Sequence, residues 1–253
     1  MKKSLLALGI VLLSGTSALA MDVSNPFYIP MKGDFLSETT LSYENGNHGN
    51  YEALYGLEAL SYGITDKLTV SGLISDTWLL DQPGTTGHDR YDNPNWKVGL
   101  KYNLVDCCKT NWKVQLGADF AQGYNEIHNY KELSAYGKIG YVFEKETMPY
   151  VTAGVIKPIG QYESEPIYTA RAALYKKWGK HIATDIGAIY TWGQHTDEYN
   201  TGSKHSSDWA LDAEIDYVFS DCMSVGLGGA YVLDAKPENY DYYTVGVNFK
   251  VAF

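Results

Sequence analysis

Residues 242–253 read Tyr-Tyr-Thr-Val-Gly-Val-Asn-Phe-Lys-Val-Ala-Phe. In an extended chain successive side chains point to opposite faces. Tyr243, Val245, Val247, Phe249, Val251 and Phe253 therefore share one face, and Tyr242, Thr244, Gly246, Asn248, Lys250 and Ala252 share the other. A run of this length exceeds the ordinary soluble strand of about 5–6 residues and suits a tilted strand crossing a bilayer, which needs about 9–11.

The same period recurs upstream. Trp209, Leu211, Ala213, Ile215, Tyr217 and Phe219 oppose Asp208, Asp212, Glu214 and Asp216. Trp96, Val98, Leu100, Tyr102 and Leu104 oppose Lys97, Gly99, Lys101 and Asn103. Trp112, Val114, Leu116, Ala118 and Phe120 oppose Lys113, Gln115, Gly117 and Asp119. No window offers a helical stripe. Twelve segments are predicted: 35–44, 51–63, 68–79, 95–104, 112–122, 134–143, 149–158, 167–176, 182–192, 208–219, 223–233 and 242–253. Alternation is weaker over 68–79, 149–158 and 167–176, and it leaves their facing open.

The connections alternate in length. Gaps 45–50, 80–94, 123–133, 159–166, 193–207 and 234–241 are mostly long and polar. Gaps 64–67, 105–111, 144–148, 177–181 and 220–222 are shorter. Short turns at one end and long loops at the other mark a transmembrane barrel.

A soluble barrel also alternates, so aromatic placement must decide which face looks outward. All six tryptophans lie at or beyond strand ends, and tyrosines such as Tyr62, Tyr141, Tyr175, Tyr190 and Tyr231 cluster there too. Rings with an apolar body and a polar tip suit the two membrane interfaces, which accounts for 22 Tyr against 7 Phe. The polar face is predicted to line an aqueous interior, because a Lys or Arg facing lipid at the midplane costs about 2–4 kcal/mol. The candidate pore-lining residues are Lys97, Lys101, Lys113, Lys138, Arg171 and Lys250, with Glu38, Glu58, Asp119, Asp185, Asp212, Glu214 and Asp216. Every backbone polar group in lipid must be paired, so the sheet must close. The fold class is all-β, a closed antiparallel transmembrane β-barrel of about twelve strands.

Residues 1–20 read as a secretory signal peptide: Lys2 and Lys3, the apolar run Leu5–Leu13, and Ala18-Leu19-Ala20 as the cleavage site. Its removal takes two lysines and moves the net charge from −10 to −12, a poor match for nucleic acid, whose phosphates need cations. Residues 21–34, with Pro26 and Pro30, form an N-terminal periplasmic segment that enters the interior or hangs free, and 35–253 form the barrel.

Signal peptide, alternating strands and the terminal Gly246-Val247-Asn248-Phe249-Lys250-Val251-Ala252-Phe253 resemble the outer-membrane β-barrel proteins of Gram-negative bacteria. The resemblance covers the mature chain. It implies residence in the outer membrane among its lipids, and a terminal strand read by the β-barrel assembly machinery. Tyr62-Gly-Ile-Thr-Asp-Lys-Leu68 resembles a hairpin of the phenol-degradation MetA-like transporter group.

Basic interior residues concentrate on segments four to six and acidic ones on segments one, two, nine and ten. Opposed walls of unlike charge create a transverse field that orders a polar solute. The expectation is a narrow porin-like channel or passive transporter for small polar or charged solutes. The alternatives are a plugged structural or adhesive barrel and an outer-membrane lipid-modifying or proteolytic enzyme. His48, His88, His128, His195 and His205 lie in long gaps, but no complete nucleophile–base–orienter set accompanies them. No cofactor or metal site is expected. Cys107 and Cys108 sit in one turn and Cys222 in another, nearly opposite on the ring, too far apart for the roughly 7 Å a disulfide spans.

Overall fold

The computed structural model describes residues 22–46, 51–81, 95–105, 110–124, 129–143, 146–159, 166–195, 204–234 and 242–253. Twelve strands follow in chain order: β1 (Phe35–Gly46), β2 (Tyr51–Gly63), β3 (Leu68–Asp81), β4 (Asn95–Asn103), β5 (Trp112–Tyr124), β6 (Asn129–Tyr141), β7 (Thr147–Ile159), β8 (Ile167–Trp178), β9 (Ile182–His195), β10 (Lys204–Ser220), β11 (Met223–Asp234) and β12 (Tyr242–Ala252). Each pairs antiparallel with its neighbours in sequence, and β1 pairs with β12, so the sheet closes. Phe35 and Phe253 seal that seam by exchanging both backbone hydrogen bonds, at 2.7 and 2.9 Å.

The apolar face of the alternation looks outward. Ile74, Leu211 and Ile186 are 63%, 60% and 59% exposed, while inward-facing Val218 is 1% exposed. Among the described residues no sheet or helix covers the outer wall, so these aliphatic groups suit contact with lipid. Two aromatic belts bound them. At the short-turn end Phe35 packs on Tyr62 and Phe253, Trp112 on Tyr141, and Tyr217 on Phe219. At the long-loop end Tyr43 meets Tyr243, Trp96 meets Phe120, and Tyr190 meets Trp192 and Trp209.

The strand expected over 134–143 runs instead from Asn129 to Tyr141. Its first residues are polar and resemble a loop in composition, yet they continue the register with β5, Tyr124 pairing with Asn129. β10 likewise begins at Lys204 and pairs with the end of β9.

Glu58, expected on the lumen face, faces outward. Register places Thr39 beside it on β1 and Ile74 beside it on β3, on the row that carries Leu60 and Tyr62. Its carboxylate accepts hydrogen bonds from the hydroxyls of Ser37 at 2.8 Å and of Thr39. Apolar residues occupy both faces of β2, Leu54 and Leu60 on one and Tyr55 and Leu57 on the other. Period alone therefore did not orient this strand, and charge pointed the wrong way. Tyr175, expected in an interfacial belt, faces inward and is 3% exposed.

The interior core sits at the short-turn end. Phe27 packs there with Met148, Tyr150, Tyr175, Ala183 and Val218. Residues 22–30 enter the barrel, and Val23, Phe27 and Ile29 are buried. The chain crosses β2 so closely that a Cβ on Gly63 would lie 1.9 Å from the Met31 carbonyl oxygen, so only glycine fits there.

Candidate functional site: the charged lumen

Twelve strands spaced about 4.8 Å apart and tilted near 40° make a ring about 24 Å across between backbones. Such a ring has room inside for the inward side chains of all twelve strands. What lines it is set by parity along each strand.

On β4–β6 the inward residues include Lys97 and Lys101, Lys113 and Asp119, and Lys138, which the β4–β5 and β5–β6 pairings place on one face. Lys138 donates to the Pro26 carbonyl at 2.7 Å and lies over the rings of Phe27 and Tyr150, 5.2 and 5.7 Å from their centroids. Lys113 is buried and borders a cavity of about 290 Å³ shared with Asp22, Glu146 and Lys177. Glu132 on β6 shares this face through its pairing with Ala121, so this side of the lumen holds four lysines against two carboxylates, Asp119 and Glu132.

The other side is acidic. Asp185 on β9, Asp212, Glu214 and Asp216 on β10 and Glu38 on β1 face inward, with Arg171 on β8 and Lys250 on β12 between them. Arg171 binds Asp185 at 3.0 Å and both oxygens of Asp212. Tyr150 donates to Asp185 and accepts from Arg171. Lys250 reaches Glu214 at 3.0 Å and Asp216 at 3.8 Å, and the Asn248 amide donates to Glu214. Glu44 on β1, Asp208 on β10 and Lys177 on β8 share this face, so seven carboxylates of these strands face three cations.

The Arg171–Asp212 pair and the Lys250 pairs jump a strand, β8 to β10 and β12 to β10. That requires an intervening residue without bulk. A Cβ on Gly187 of β9 would lie 2.7 Å from Arg171 and 2.8 Å from Asp212. A Cβ on Gly226 of β11 would lie 2.5 Å from Asn248 and 2.8 Å from Asp216. Lumen glycines are the saddles over which long polar side chains meet.

Of the thirteen residues singled out from the sequence, twelve face inward and Glu58 does not. Sequence reasoning missed Tyr150, Tyr136 and Tyr175, which face inward too. Tyr175 stands on the same face as Arg171, so parity within 167–176 carried that signal. It also missed how far residues 22–30 are built into the interior. Asp22 binds Lys177 at 2.6 Å, the Val23 amide donates to the Asp221 carbonyl, Ser24 contacts the Tyr175 hydroxyl at 3.1 Å, and the Asn103 amide reaches the Phe27 carbonyl at 3.5 Å. The segment is tied to β4, β6, β8 and the β10–β11 turn.

His48, His88 and His128 lie outside the described residues, as do Cys107 and Cys108. His195 and His205 end up on β9 and β10. Cys222 is a free thiol. Among the described residues no group of His, Cys, Asp and Glu is arranged to hold a metal.

Neither a protein-family model nor a curated protein matches the chain in sequence. Solved structures match it in fold. The COG4313 outer membrane channel from Pseudomonas putida F1 aligns with a TM-score of 0.62 at 11% identity, over 94% of this chain and 100% of that one. The NanC porin aligns at 0.55 and 12% identity, over 84% and 98%. The translocator domain of autotransporter NalP from Neisseria meningitidis aligns at 0.54 and 8% identity, over 91% and 92%. By fold this chain is an outer-membrane-type β-barrel of twelve strands. Its solved neighbours include channels and porins, and the resemblance is one of backbone, not of lining.

Proposed function

We propose that the protein is an outer-membrane channel that passes small polar or charged solutes through a narrow, charged lumen. The observation that carries this reading is the lining itself. Lysines dominate β4–β6, and carboxylates dominate β9, β10 and β1 on the far side of the ring. Charges cost little beside water and a great deal in an apolar filling, so a wall of them belongs to an aqueous path. The outward aliphatic belt between two aromatic girdles supports residence in a bilayer. The signal-peptide pattern over 1–20 and the terminal aromatic strand support export and delivery by the barrel assembly machinery.

The test is conductance. Folded protein in a planar bilayer is expected to give discrete current steps, with ion selectivity shifted toward cations by Lys97→Glu or Lys101→Glu. Folded protein that gives no current would overturn the reading. One observation favours a second reading. Residues 22–30 fill the short-turn end and bury Phe27 completely. That suits a barrel closed by its own N-terminus with a structural or adhesive role, and absence of conductance would select it.

A further inference from the structure

We propose that the lumen selects zwitterionic solutes, seating the ammonium end in an alcove of the β10–β12–β1 wall and turning the carboxylate end toward Lys97 and Lys101 on β4. The proposal rests on the channel reading above and adds the chemical class of the solute.

The alcove has a volume of about 240 Å³ and is lined by Thr40, Ser42, Asp212, Glu214, Thr244 and Asn248. It is open because the residues at 228 and 246 on its floor are glycines. Its polar atoms are chiefly acceptors. Carboxylates accept only, hydroxyls accept as well as donate, and an ammonium offers three donors and no acceptor. The Asn248 amide spends its NH₂ on Glu214, while its buried Oδ1 has no hydrogen-bond partner among the described residues. None of the lining residues is basic. Arg171 and Lys250 stand beside the alcove and hold its carboxylates in place, but they are outnumbered. The surplus on that wall is negative.

The complementary half is on β4, which lies across the ring from β10–β12 in the closed order of strands. Lys97 faces the lumen and makes no ion pair or hydrogen bond among the described residues. Lys97 and Glu214 stand at equal residue counts from the short-turn ends of β4 and β10, so they face each other at about the same depth. Backbones about 24 Å apart, less the side chains on each wall, leave a gap that a solute with separated charges can bridge. A dication meets the lysine wall with like charge, a dianion meets the acid wall with like charge, and a neutral polyol gains nothing from the field. A zwitterion aligned across the gap is favoured at both ends.

Four six-carbon probes decide the matter. Protein refolded into liposomes, with folding verified by heat-modifiable migration, is given labelled 6-aminohexanoate, adipate, 1,6-diaminohexane or mannitol. Uptake of 6-aminohexanoate is expected to exceed that of each other probe by about threefold or more. Lys97→Glu and Thr244→Lys each place the wrong charge on one wall. Both are expected to bring 6-aminohexanoate down to the mannitol rate measured in the same variant. Equal uptake of all four, a lead for adipate or the diamine, or a preference that survives both substitutions would overturn the zwitterion assignment and leave the channel standing. Entry of none of the four would overturn the channel itself, and the assignment with it.

Discussion

Lys250 on β12 and Glu214 on β10 meet at 3.0 Å across the strand that separates them, passing over Gly226 of β11. A carboxylate and an ammonium on neighbouring strands need no such saddle. Two on alternate strands do, and the curvature of a closed barrel brings them within reach only on its concave side. The pair is therefore a direct marker of the lumen face. Filling the saddle should be costly. Gly226→Val is expected to lower stability by about 1–3 kcal/mol, the usual penalty of overpacking. Urea titration in lipid vesicles reads it, and an unchanged midpoint would mean that the pair does not lie over that glycine.

Phe27 anchors the N-terminal segment in the short-turn end, where it is 1% exposed and meets the Tyr150 ring edge-on at 5.8 Å. Phe27→Ala removes a fully buried ring, a change that costs about 3–5 kcal/mol in well-packed sites. The loss falls on the segment rather than on the strand pairing. Trypsin cleavage after Lys32 is expected to accelerate, while heat-modifiable migration of the barrel stays the same. Cleavage at the native rate would show that the segment is held by its polar ties alone.

Glu58 occupies the middle of the outward belt, between Leu60 and Gly56 on its own strand. A carboxylate costs less there than the roughly 2–4 kcal/mol of a Lys or Arg at the midplane, but it still costs. Glu58→Leu is expected to raise the urea midpoint in vesicles by an amount equivalent to about 1 kcal/mol, while conductance is unaffected. A fall in stability would mean that its bonds from Ser37 and Thr39 outweigh the exposure to lipid.

The Cys222 thiol, in the β10–β11 turn, has its pKa raised by partial burial and by the carboxylates of Asp221 and Asp34. A raised pKa means less thiolate at any given pH below it, and the thiolate is the nucleophile. Alkylation by iodoacetamide at pH 8 is expected to be slower than that of a free cysteine, and to gain more when the pH is raised. Asp34→Asn should speed it. A rate equal to free cysteine would show that these carboxylates do not act on the thiol.

Much of the architecture was legible in the sequence because a strand's period and a bilayer's thickness are both strict. In 242–253, 208–219 and 112–122 one parity is apolar and the other polar, and each of those strands forms with the facing that parity demands. In 51–63 both parities are apolar, and the two charged residues, Glu52 and Glu58, share the outward parity, so charge misleads there. The edges of β6 and β10 were hidden for a related reason. Beyond the bilayer a strand no longer needs apolar residues, so its composition becomes that of a loop. The lumen was legible as a set of charges but not as pairs. Which carboxylate meets Arg171 depends on Gly187 of the next strand, and no local pattern reports that. The docking of 22–30 was least legible, since its contacts are single hydrogen bonds to scattered strands.

The seam between Phe35 and Phe253 has a consequence for how the chain is made. The first strand has only the last one for its second neighbour, and the final aromatic residue completes that match. A product released early from the ribosome carries two raw edges, each a row of backbone groups with nothing to bond in oil. Without β12 the margins of β1 and β11 both stay unmatched, so the cylinder cannot shut.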